Sequence, residues 1–131
     1  MNQEIKAKWI AALRSGEYTQ TIGKLYRHRP DFADQPGYCC LGVLCDLHAK
    51  ETENAWQYSS EGYGHYFSEC DELPATVIQW AGLPDGNPMV TTQYKYEGTD
   101  EYVDLTVEIA KLNDDFNFTF EQLADVIDTT F

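Results

Sequence analysis

Cys45 and His48 stand three residues apart, a spacing that on a helix puts thiol and imidazole on one face with Asp46 nearby. Cys39 or Cys40, at the start of the same stretch, would add a thiol whose pKa a helix N-terminus can lower. The surroundings argue against thiolate catalysis. All three cysteines lie in Tyr38–Cys45, the longest apolar run of the chain, where cysteine behaves as a small buried hydrophobe. His48, at the end of the stretch, is expected to serve backbone carbonyls. A zinc site fares no better: Cys39-Cys40-x4-Cys45 lacks paired ligands at finger or ribbon spacing, and His28, His48 and His65 are scattered. Asn113, Asp115, Asn117, Thr119 and Glu121 alternate like a calcium loop, but Phe118 occupies the glycine position and Ala124 the bidentate glutamate. No phosphate-binding glycine loop, dinucleotide fingerprint or nucleophile elbow is present. Neither a catalytic residue, a metal nor a cofactor is expected.

The residues best suited to recognition are Arg14, Tyr18, Gln20, Lys24, Tyr26, Arg27 and Arg29. Arginine forks onto a phosphate, lysine adds a point charge, tyrosine stacks on a base, and glutamine reads a base edge or ribose hydroxyl. The competing reading is a salt-bridged surface, where these cations meet the acidic remainder of the chain. Charge placement makes both readings concrete. Residues 1–50 carry seven Lys or Arg against five Asp or Glu, and residues 51–131 carry two against seventeen. The first part is therefore net +2 and the second net −15, within a total of −13. An anionic ligand should meet the first part; nonspecific nucleic-acid binding by the whole chain is not expected.

The elements that must position these residues follow from periodicity. The 131 residues, 43% hydrophobic with 18 aromatics, are expected to form one domain, 1–131, with a buried core. Gln3–Arg14 reads as an amphipathic helix with Ile5, Trp9, Ile10 and Leu13 on its apolar stripe, ended by Gly16. Glu17–Tyr26 has room for one or two short strands around Gly23, and His28–Gly37 reads as a loop. The apolar run becomes a central helix over about Cys39–Lys50, with Asp46 and Lys50 paired four residues apart.

Beyond it, Trp56 and Tyr58 share one strand face, and Tyr63–Phe67 suits a second strand. Leu73–Gly82 is a short helix with Pro74 in its first turn and Gly82 closing it. Thr92, Tyr94 and Tyr96 alternate as in a strand, and a helix is expected from about Leu105 onward. Thr119 and Gln122 form a capping box, Phe118 and Leu123 its staple, and Phe120, Leu123, Ala124, Ile127 and Phe131 the buried face of the last helix. The expected class is α+β, four to five helices with a small antiparallel sheet. No stretch approaches a membrane span, and no secretory signal is read at the N-terminus. Adjacent Cys39 and Cys40 suit reduced thiols, so a cytoplasmic setting is expected.

Several strings resemble one family. Trp9-Ile10-Ala11-Ala12-Leu13-Arg14-Ser15-Gly16-Glu17-Tyr18-Thr19-Gln20, then Gly23-Lys24-Leu25, then Tyr38-Cys39-Cys40-Leu41-Gly42-Val43-Leu44-Cys45 are similar to a group of small phage and prophage proteins. Leu73-Pro74 with Trp80-Ala81-Gly82-Leu83 matches further, as does Leu112-Asn113-Asp114 with Phe120 and Leu123-Ala124-Asp125. The chain departs from that pattern in its longer acidic segment from Gln93 to Asp104 and in Asp115-Phe116, where a glycine is common. The resemblance implies a small soluble viral accessory protein acting inside the bacterial host, and implies no reaction.

Two functions are therefore expected. One is non-catalytic sequestration of a small anionic nucleotide, such as an immune signal of bacterial anti-phage defence. The other is an acidic interaction protein whose −15 part mimics nucleic acid and blocks a host DNA-binding or defence protein. No membrane partner is expected, and the oligomeric state is left open, a homo-oligomer included.

Overall fold

A computed structural model describes residues 1–28 and 36–131. In chain order these form α1 (Gln3–Arg14), β1 (Tyr26–Arg27), β2 (Gly37–Tyr38), α2 (Cys40–Thr52), β3 (Gln57–Tyr58), β4 (Gly64–His65), α3 (Ala75–Ala81), β5 (Met89–Tyr94), β6 (Val103–Glu108), α4 (Ile109–Asp114) and α5 (Phe120–Thr130). The class is α+β: among the described residues there are five helices and three separate two-stranded antiparallel sheets, β1–β2, β3–β4 and β5–β6. The expected loop over His28–Gly37 falls mostly on residues 29–35, outside the described residues.

Helix α2 is the hub. Nine of its thirteen residues are buried, so it is enclosed on nearly every side rather than amphipathic. Cys39 is its N-cap, the thiol accepting the Gly42 N–H at 3.4 Å. Trp9 reaches it from α1, donating its indole N–H to the Cys40 carbonyl at 2.9 Å. Gly42 lies directly against the chain entering β1: a Cβ built there would stand 1.7 Å from the Leu25 carbonyl oxygen. Only a glycine lets a helix approach a backbone this closely.

Helices α1 and α5 form the opposite layer. Asn2 caps α1 by accepting the Glu4 and Ile5 N–H groups at 3.0 and 3.1 Å, and Ile5, Trp9 and Leu13 are buried as the spacing predicts. The capping box of α5 is formed, Thr119 N–H donating to Gln122 Oε1 at 2.9 Å and Gln122 N–H to Thr119 Oγ1 at 3.2 Å. Both staple residues, Phe118 and Leu123, are buried.

One expectation is corrected. The helix anticipated from Leu105 begins only at Ile109, because Val103–Glu108 pairs in register with the whole of β5, from Met89 opposite Glu108 to Tyr94 opposite Val103. The alternation of Val103, Leu105 and Val107 is satisfied by sharing one sheet face with Val90, Thr92 and Tyr94, and long-range pairing outweighs the helical spacing of Leu105, Ile109 and Leu112. The α4–α5 connection turns on Asn117 in the left-handed region (φ 57), a conformation asparagine tolerates.

Candidate functional site

Two of the two-stranded ribbons bring aromatic rings from distant parts of the sequence onto one face. Tyr26 of β1 is the direct partner of Tyr38 of β2, with ring centroids 4.5 Å apart. Trp56 and Tyr58, alternating along the β3 segment, lie 5.7 and 5.8 Å from Tyr26, and Tyr18 meets Tyr38 edge-on at 5.1 Å. His28 stacks nearly parallel to Tyr26 at 6.2 Å. These separations fall in the range where rings attract beyond the area they bury. Gly64 of β4 makes the junction possible, since a Cβ there would come within 3.0 Å of the Tyr26 ring and 3.1 Å of the Trp56 ring.

Asp46 of α2 is the polar centre of this face. It is 7% exposed and accepts the Tyr18 hydroxyl at 2.7 Å and the Trp56 indole N–H at 3.1 Å. Lys50, one turn on, stands 3.0 Å from the same carboxylate and donates to the Tyr18 hydroxyl at 3.0 Å. The i,i+4 pair anticipated from the sequence is thus present, with one end buried and the other 68% exposed. Burial, followed by the bond to Asp46, raises the Tyr18 pKa, and burial raises that of Tyr38 well above the ordinary phenol value. The bonds to Tyr18 and then Asp46 hold Lys50 protonated. The face therefore offers phenols and an indole as hydrogen-bonding rings, with an ammonium fixed beside the buried Asp46 side chain. Its resources are stacking, hydrogen bonding and an exposed ammonium paired to a buried carboxylate.

Of the seven residues singled out in the sequence, Tyr18 and Tyr26 belong to this face, linked through Tyr38. Arg27, next along β1, donates from Nε to the Ile22 carbonyl at 2.9 Å and closes the turn before it. Lys24 turns to Asp71 at 2.9 Å and sits 4.6 Å from the Tyr63 ring centroid. Gln20 donates to Asn113 Oδ1 and to the Phe118 carbonyl, both at 2.8 Å. Arg14 pairs with Asp125 at 2.5 Å and Glu121 at 3.5 Å on α5. Arg29 lies outside the described residues. Arg14, Gln20 and Lys24 are thus directed to three different parts of the molecule. For Arg14 and Lys24 the cause is the charge asymmetry, since each finds carboxylates from the acidic part of the chain, whereas Gln20 satisfies neutral acceptors. Tyr38, Trp56, Tyr58, His28 and Lys50 were not singled out; the shared strand face of Trp56 and Tyr58 was the available signal.

The thiols take a structural part. Cys39, Cys40 and Cys45 are buried; burial pushes Cys39 up to about 12 and the other two well above the usual thiol value, outweighing any help from the start of α2. His48 Nδ1 is hydrogen-bonded with the Tyr66 hydroxyl rather than with a thiol or a carbonyl, and burial lowers its pKa. In the native protein Cys39, Cys40 and Cys45 should react slowly with an aromatic disulfide reagent and rapidly after denaturation, while half-buried Cys70 labels first. Mass mapping of the labelled peptides checks this, and fast native labelling of Cys45 would contradict the burial. Among the described residues no helix is long and apolar enough to cross a membrane, and no three His, Cys, Asp or Glu are grouped to hold a metal ion.

Residues 1–131 match a family model described as a domain of unknown function, DUF8296. No curated protein and no solved structure matches the chain.

Proposed function

The chain belongs to the DUF8296 family, and we propose that it is a non-catalytic phage protein that captures a small anionic nucleotide on the aromatic face around Asp46, inside the bacterial host. The observation that carries the reading is the ring cluster itself, with the Lys50 ammonium held at its rim and Tyr58 left 64% exposed beside it. An aromatic side chain this open is a stacking surface for a base, and a fixed ammonium suits a phosphate. The absence of a low-pKa thiol among Cys39, Cys40 and Cys45 supports binding over turnover. The candidate ligand is a signalling nucleotide of anti-phage defence, which a viral protein would neutralise by holding it.

Calorimetry against cyclic dinucleotides and cyclic ADP-ribose isomers tests the proposal, with the intrinsic fluorescence change that Trp56→Phe removes as a second readout. One ligand of the panel should bind and be recovered intact by mass spectrometry after heating the complex. Tyr58→Ala should weaken binding by about 1–3 kcal/mol, the usual worth of one stacked base, with a smaller loss of thermal stability from its contact with Tyr26. Failure of the whole panel, cleavage of the recovered ligand, or unchanged affinity in the variant would each overturn the reading.

A further inference from the structure

The hairpin of β5 and β6 reaches beyond the body of the protein. Its inner face packs down as far as Tyr94, which meets Phe116 at 5.0 Å and Phe118 at 6.3 Å between ring centroids. From Lys95 to Asp104 every residue is exposed, across a tip that turns on Gly98 (φ 84). Tyr102 is 66% exposed, Tyr96 48% and Val103 43%, so apolar surface is presented that none of the described residues covers. Carboxylates are interleaved with these rings: Glu97, Asp100, Glu101, Asp104 and Glu108 stand in Met89–Glu108 against the single cation Lys95. Lys95 is itself drawn 3.7 Å from Asp100. Strand β6 pairs with β5 on one side and with no other strand among the described residues, leaving an open edge.

We infer that this arm is a docking surface for a basic, extended protein segment that adds to the β6 edge and lays its cations against Glu101 and Asp104. The charge selects this occupant. A strand of a second copy pairing arm to arm would set the same carboxylates against one another, and nucleic acid would be repelled. A chain alternating lysine or arginine with β-branched residues offers what the edge lacks: backbone groups for β6, apolar contact for Val103 on the inner face, and, on the other face, positive charge for Asp104, with Tyr102 and Glu101 just before the strand beside the cations. The inference is independent of the aromatic face, which the arm does not contribute to.

The test uses the full chain and a peptide alternating lysine with valine, beside a control alternating glutamate with valine. Calorimetry at low salt should show binding of the basic peptide alone, weakening as ionic strength rises. Backbone amide shifts should concentrate in residues 89–108. The double variant Glu101→Lys with Asp104→Lys should reduce affinity about tenfold or more, and Tyr102→Ser should reduce it while leaving the nucleotide panel unaffected. Unchanged far-ultraviolet dichroism confirms that these variants fold. Equal binding of both peptides, binding of neither, or binding indifferent to the double variant overturns the inference. So does concentration-dependent dimerisation, by sedimentation, that the double variant abolishes.

Discussion

Gly42→Ala is expected to unfold the protein or to destabilise it by about 4 kcal/mol or more, at the extreme of what single substitutions do. Considered as a helix position alone, the change should help, since alanine outranks glycine by about 1 kcal/mol. Packing reverses the sign. The new methyl would stand 1.7 Å from the Leu25 carbonyl oxygen and 2.7 Å from its carbon, distances no relaxation of a flexible side chain can relieve. Leu25 cannot step aside cheaply. Its N–H donates to the Cys70 carbonyl at 2.8 Å, its carbonyl accepts the Cys39 N–H at 3.2 Å, and its side chain is fully buried. Moving α2 instead would disturb the bond from Trp9 to Cys40 and the core around both. Urea denaturation compares variant and parent; stability within 1 kcal/mol of the parent would show that α2 does not rest on this backbone.

Asp46→Ala should cost about 3 kcal/mol, because it removes the carboxylate to which the half-buried Trp56 indole N–H and Tyr18 hydroxyl both donate, and a hydrogen bond to a charged group is worth about 1.5–3 kcal/mol. Lys50 adds little to that loss, since its ammonium is largely in water and an exposed partner is screened. Asp46→Asn keeps one acceptor oxygen and the side-chain shape, so it should lose roughly half as much. The functional consequence separates from the structural one. In Asp46→Ala, Trp56 and Tyr18 lose the bonds that orient them, and nucleotide affinity should fall together with stability; Tyr58→Ala should lower affinity with little loss of stability. Chemical denaturation and calorimetry on the same preparations give both quantities, and an Asp46→Ala protein as stable as the parent would show that the carboxylate does not anchor the face.

The contrast between helices and sheets shows where the sequence was sufficient. Helix α1 runs over Gln3–Arg14 as its periodicity indicates, and the capping box of α5 has both of its bonds. Helix α3 ends on Gly82 in the left-handed conformation that such a glycine is used for. Caps, stripes and C-terminal glycines act within one or two turns, so neighbouring residues contain all the information. Strand β6 is different. Whether Leu105 and Val107 lie in a helix or a strand depends on a partner, β5, up to nineteen residues away in the pairing of Met89 with Glu108, and no local pattern carries that register.

By itself the sequence determined that the apolar run is buried from Cys39 to Cys45, that the last helix is capped by Thr119, and that the first 50 residues carry the compensating positive charge. Burial, capping and net charge are properties of residue type and short-range order. Which cation meets which carboxylate was decided only by the tertiary structure: Arg14 joins Asp125 across 111 positions and Lys24 joins Asp71 across 47. The same holds for the candidate site. Tyr18, Tyr26, Tyr38, Trp56 and Tyr58 form one face because Gly42 and Gly64 let backbone and rings close to contact distances. Excluded volume between segments far apart in the chain has no signature in the order of residues, so the aromatic face became visible only when the chain was folded.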